Sequence, residues 1–121
     1  MARVTGLGGI FYRVADKNAT KQWYLETLGV GGEWGAMFAF KDDVPDGFAL
    51  LTPFAADSDK FAPSALPFMI NLRVDDLDAM VADLEAKGVT ILDRQSDDYG
   101  KFAWIMDPDG MKLELYQQAG D

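Results

Sequence analysis

Two stretches of this chain repeat each other. Gly9-Ile10-Phe11-Tyr12-Arg13-Val14-Ala15-Asp16 aligns with Met69-Ile70-Asn71-Leu72-Arg73-Val74-Asp75-Asp76, with Ile, Arg, Val and Asp at matching places. Leu28-Gly29 answers Lys87-Gly88, and Pro45-Asp46-Gly47 answers Pro108-Asp109-Gly110. Such self-similarity limits the fold severely, because each copy is one supersecondary unit that cannot bury its apolar face alone. Each copy reads as a strand, a helix and then further strands, so the two sheets are expected to combine.

In the first copy, residues 7–14 alternate as a strand, with Ile10, Tyr12 and Val14 on one face and Gly9, Phe11 and Arg13 on the other. Asp16 suits a helix N-cap, Thr20, Trp23, Tyr24, Thr27 and Leu28 recur at helical spacing, and Gly29 can end the helix. Residues 33–40 and 48–54 read as strands, and 55–67, small, charged and proline-bearing, as a linker. In the second copy, residues 68–74 place Ile70, Leu72 and Val74 opposite Met69, Asn71 and Arg73. Asp75 or Asp76 caps a helix with the apolar stripe Leu77, Met80, Val81 and Leu84, closed by Gly88. Residues 89–94 and 102–106 read as strands around an exposed loop at 95–100. Pro108 and Gly110 then favour a tight reversal at Asp107-Pro108-Asp109-Gly110. The last strand alternates Met111, Leu113 and Leu115 with Lys112, Glu114 and Tyr116. The modules therefore span about 5–54 and 68–118 of a single domain.

Composition removes several chemistries. A formal charge of −9 opposes binding to nucleic acid or to acidic membrane surfaces. No stretch approaches the ~20 apolar residues of a membrane span. The N-terminal residues lack the apolar core of a signal peptide, so a cytoplasmic protein is the default expectation. Without cysteine there is no thiol nucleophile or disulfide, and without histidine no Ser-His-Asp arrangement, imidazole base or imidazole metal ligand.

The twofold βαβββ order, the helix ending Tyr24-Leu25-Glu26-Thr27-Leu28-Gly29, Val74-Asp75-Asp76-Leu77-Asp78, and Asp107-Pro108-Asp109-Gly110 followed by Leu113-Glu114-Leu115 together resemble the vicinal oxygen chelate superfamily. That superfamily holds glyoxalase I, bleomycin-resistance proteins, fosfomycin-resistance enzymes and extradiol dioxygenases. The resemblance implies an α+β fold, two tandem βαβββ modules forming a curved mixed sheet with helices on its outer face and a ligand cup on the inner one. It also implies a homodimer, since relatives of this length commonly complete the cup by pairing modules from two subunits.

In metal-dependent members the ligands come from the first and last strands of each module, which the resemblance places at Gly9, Leu51, Met69 and Glu114. Glycine and leucine have no donor and a thioether suits soft metals, so no metal and no cofactor is expected. Glu114 is the candidate catalytic residue, as a base in an apolar cup, or the anion that grips a cationic ligand, or an inherited partner of an arginine. Phe11, Arg13, Leu51, Met69, Asn71, Phe102, Trp104 and Glu114 are the candidate ligand-binding residues. Arg13 and Arg73 either bind an anionic group or pair with carboxylates at strand ends. Phe102, Trp104 and Met106 are assigned to the cup, with Ala103 and Ile105 beneath the helix. Two functions fit: a protein binding a small cationic or aromatic molecule in the cup, or a glyoxalase-like lyase or isomerase, cofactor-independent or metal-dependent, acting on a small carbonyl substrate through Glu114.

Overall fold

The computed structural model describes residues 2–3 and 7–120, so the expected start of the first module at residue 5 lies outside the described residues. The chain divides into two units, Met1–Asp57 and Ser58–Asp121.

The second unit follows the βαβββ order. Strand β1 (Ile70–Arg73) leads through helix α2 (Leu77–Ala86) to β2 (Asp93–Asp97), β3 (Gly100–Met106) and β4 (Lys112–Gln118). The sheet runs β1-β4-β3-β2, with β1 parallel to β4 and the other pairs antiparallel. A mixed sheet results, because returning to pair beside the parallel β1 requires the crossover that α2 supplies.

Helix α2 begins where Asp76 accepts a hydrogen bond from the Ala79 N–H (3.0 Å), and the Gln117 side chain of β4 accepts one from the Leu77 N–H (2.8 Å). Its stripe of Leu77, Val81 and Leu84 is buried together with Ala103, Ile105, Met111, Leu113 and Leu115. Each of the larger aliphatic side chains contributes about 1.5–3 kcal/mol by leaving water. Period-2 alternation then turns Phe102, Trp104, Met106, Lys112, Glu114 and Tyr116 to the opposite face, where all are half-buried.

Between β3 and β4 the Asp107 carboxylate, 5% exposed, accepts from the backbone N–H of Asp109 (2.8 Å) and of Met111 (2.9 Å). The Asp107 N–H donates to the Met111 carbonyl (2.8 Å), and Gly110 takes φ +84. Most of the expected linker belongs to this unit. The Lys112 ammonium donates to the Lys60 carbonyl (2.8 Å), and the Ser64 hydroxyl donates to the Gly110 carbonyl, so the segment is strapped across the turn.

In this unit two strand assignments need correction. Residues 95–100 do not form a loop: Gln95, Ser96 and Asp97 continue β2, and Asp98-Tyr99 is the turn of a tight hairpin. The Asp97 carboxylate accepts from the Tyr99 N–H (2.8 Å), which holds the reversal. Regular β2 starts only at Asp93, although the Leu92 N–H still donates to the Trp104 carbonyl (2.8 Å). Polar side chains hid this strand, because β2 is exposed along its whole length. At the far side of the turn Gly100 has φ +147, and a Cβ there would lie 2.1 Å from the Gln117 carbonyl oxygen.

Asp78, in the first turn of α2, meets Arg94 (2.6 Å) of β2 and Lys101 (2.9 Å) of β3. The hydrogen bonds from Lys101 and then Arg94 hold its carboxyl below the usual value. These exposed pairs orient the helix end more than they stabilise it.

In the first unit, Asp16 accepts from the N–H groups of Asn18 and Ala19 and opens α1 (Lys17–Trp23). The helix widens into a π turn at Tyr24–Leu28 and stops at Gly29 with φ +74. The expected strands at 7–14, 33–40 and 48–54 form no ladder among the described residues; Phe40–Asp42 is instead a short 3-10 turn. Strand propensity needs a paired, half-buried neighbour. Here Phe11 (95% exposed) and Leu51 (87%) have none, and Gly8, Gly9, Gly31, Gly32 and Gly35 make ordering more costly.

Gly100→Ala should destabilise the second unit by roughly 2–4 kcal/mol, combining the strained φ with the collision on Gln117. Urea denaturation followed by circular dichroism measures it, and a loss under about half a kcal/mol would refute the close approach.

Candidate functional site

The face of the second unit's sheet opposite α2 brings three strands to one row. Asn71 on β1 is in register with Glu114 on β4, and Glu114 with Trp104 on β3. The Asn71 amide donates to Glu114 Oε1 at 2.7 Å, and the Trp104 indole N–H donates to Glu114 Oε2 at 2.8 Å. Bonds to an ionised acceptor contribute about 1.5–3 kcal/mol, more than neutral pairs. Each carboxylate oxygen therefore holds a protein donor from a different neighbouring strand.

Beside this row the rings lie parallel. Phe102 stacks on Tyr116 with centroids 5.0 Å apart at 18°, and on Trp104 at 6.1 Å and 11°. The Lys112 ammonium stands 5.9 Å from the Trp104 ring centroid, near the limit of a cation–π contact. The Tyr116 hydroxyl donates to the Tyr99 carbonyl (3.1 Å), so the ring is fixed at its far end as well.

Of the residues expected from sequence, the structure unites Asn71, Phe102, Trp104 and Glu114, and places Met69, half-buried, just before β1. Phe11, Arg13 and Leu51 belong to the first unit, on exposed segments without a ladder. Arg73 is at the end of β1, in register with Tyr116. Sequence reasoning omitted Tyr116 and Lys112 from the site. Their signal was present, since the alternation that selected Glu114 puts both on its face.

The four positions that the resemblance assigns to metal ligands do not fit a divalent ion here, since Gly9, Leu51 and Met69 offer no hard donor beside Glu114. Among the described residues no three Asp, Glu, His or Cys side chains converge. No helix among the described residues is long and apolar enough to cross a membrane.

A βαβββ unit that buries its helix on one sheet face and carries aromatic rings and a carboxylate on the other defines an α+β fold with a mixed sheet. The family model described as Glyoxalase/Bleomycin resistance protein/Dioxygenase superfamily matches residues 6–115, and the chain belongs to that superfamily. Among solved structures it is similar to TnmS3, an antibiotic binding protein from Streptomyces sp. CB03234, at 25% identity and TM-score 0.51, covering 88% of this chain and 89% of that one. A glyoxalase/bleomycin resistance protein from the same organism is 29% identical at TM-score 0.52, with 86% and 93% covered. A curated relative, the uncharacterized protein YaeR of Escherichia coli (strain K12), is 47% identical over 47 residues, 37% of this chain. That match spans only 36% of the relative's own length.

Glu114→Gln should leave folding stability within about 1 kcal/mol of the parent. Glutamine can keep its oxygen on the Trp104 N–H, and its NH₂ can donate to Asn71 once the Asn71 amide turns over. Thermal unfolding measures this, with Glu114→Leu as the contrast, since leucine strands the indole N–H and should cost about 1–3 kcal/mol.

Proposed function

We propose that this chain is a metal-independent binding protein whose open sheet face takes a small planar aromatic molecule. The observation that carries the reading is the row of parallel rings, Tyr116, Phe102 and Trp104, half-exposed on the face opposite the buried helix. Rings offered this way stack flat ligands, each good pair contributing about 0.5–1.5 kcal/mol beyond burial. The likeness to an antibiotic binding protein supports a binding role for the same fold. A lyase with Glu114 as base is less well supported, because the carboxylate is already held by a protein donor on each oxygen.

Acridine, a neutral flat heterocycle, is a direct probe. It should quench the protein's tryptophan emission saturably, and Phe102→Ala and Tyr116→Ala should each weaken binding by about tenfold. Absence of saturable binding, or parental affinity in both variants, would refute the reading.

We further infer a homodimer. The first unit leaves Phe11, Trp34, Phe40 and Leu51 each more than 85% exposed, an apolar content that monomeric proteins rarely present together. A second copy would cover it. Sedimentation should give twice the 13.3 kDa chain mass at micromolar concentration, and a persistent monomer would contradict the inference.

A further inference from the structure

We infer that Glu114 is a positioning residue: the Asn71–Glu114–Trp104 chain of hydrogen bonds fixes the plane of the indole, and the ligand touches the ring rather than the carboxylate. This rests on the aromatic-ligand reading above and says how that site selects its guest.

The geometry supports it in three ways. First, Glu114 spends one oxygen on each of two neighbouring strands, Oε1 on Asn71 and Oε2 on Trp104, so its charge is directed into the sheet's own donors. Second, the indole N–H is the one hydrogen-bond donor by which a tryptophan can be tied to a neighbour. The 2.8 Å bond to Glu114 supplies that tie, and the Asn71 amide holds the carboxylate from the other side. Third, the indole so held lies within 11° of the Phe102 plane, and Phe102 within 18° of Tyr116. Parallel rings are of use to a flat ligand only while they stay parallel, so the cost of ordering Trp104 is met before the ligand arrives. Lys112 at the indole and the Tyr116 hydroxyl bond to Tyr99 bound the row on its two sides.

On this account Glu114 selects for ring shape through Trp104 and shows no preference for ligand charge. The opposite account, a carboxylate that grips a cation, predicts a different pattern with the same variants. Two probes of one shape separate them at mildly alkaline pH, where acridine is neutral and proflavine is a cation.

The test uses the full chain with Trp23→Phe and Trp34→Phe, leaving Trp104 as the one emitting indole. Glu114→Ala should lower the anisotropy of Trp104 emission and weaken acridine and proflavine equally, by about tenfold, the effect of losing one charge-assisted hydrogen bond. Glu114→Gln should recover most of both losses, since its amide oxygen can still accept from the indole. Trp104→Phe, which keeps a ring and removes the N–H, should weaken both probes similarly, and adding Glu114→Ala to it should then weaken them no further. Asn71→Ala, which leaves the indole bond but loosens the carboxylate, should fall between and keeps the test open should Glu114→Ala fold poorly. Loss of proflavine alone in Glu114→Gln, or additive losses in the double variant, would overturn the inference in favour of direct contact. Unchanged anisotropy in Glu114→Ala would overturn the tether itself. Failure of the parent to bind either probe would instead refute the aromatic-ligand function, while the anisotropy arm, which needs no probe, still decides the tether.

Discussion

The two hydrogen bonds that the Asp107 carboxylate accepts, from the N–H groups of Asp109 and Met111, decide where β4 begins. They close the connection between β3 and β4 so that Trp104 meets Glu114 and Ile105 meets Leu113. Side chains alternate along a strand, so a register slip of one residue would carry Glu114 under the helix and Leu113 to the open face. The packing of α2 and the composition of the aromatic face are thus two outcomes of one turn. Lys60 and Ser64, strapped across the same region, fasten it from outside.

How much of this was legible in the sequence follows from how each element earns its stability. Helix α2 and strands β3 and β4 bury one face each, and burial writes a period into the residues: Leu77, Val81 and Leu84 at helical spacing, Leu113 and Leu115 at every second place. Strand β2 buries nothing, so Asp93-Arg94-Gln95-Ser96-Asp97 carries no such period, and only the backbone ladder to β3 makes it a strand. The first unit shows the converse. Its residues 7–14 and 48–54 have an apolar alternation, yet pattern alone provides no neighbour to pair with. The helix there was readable because Asp16 and Gly29 act locally.

The candidate site was partly readable for the same reason. Glu114, Trp104, Phe102 and Asn71 could be assigned to one face by alternation, but their partners could not. That Glu114 bonds an indole and an amide, rather than an arginine, depends on the pairing of β4 with β3 on one side and with β1 on the other, which no local pattern encodes.

The polar composition of β2 has a consequence for how the sheet can grow. An outer strand offers unpaired N–H and C=O groups to any passing extended segment, and natural proteins deter this with charge on a short edge. Strand β2 is short, charged at Asp93, Arg94 and Asp97, and exposed throughout, whereas β1 at the other edge has Ile70 and Leu72 and is mostly half-buried. The sheet's two margins therefore differ in kind: the β2 margin is capped against addition by its own charges, and the β1 margin is apolar.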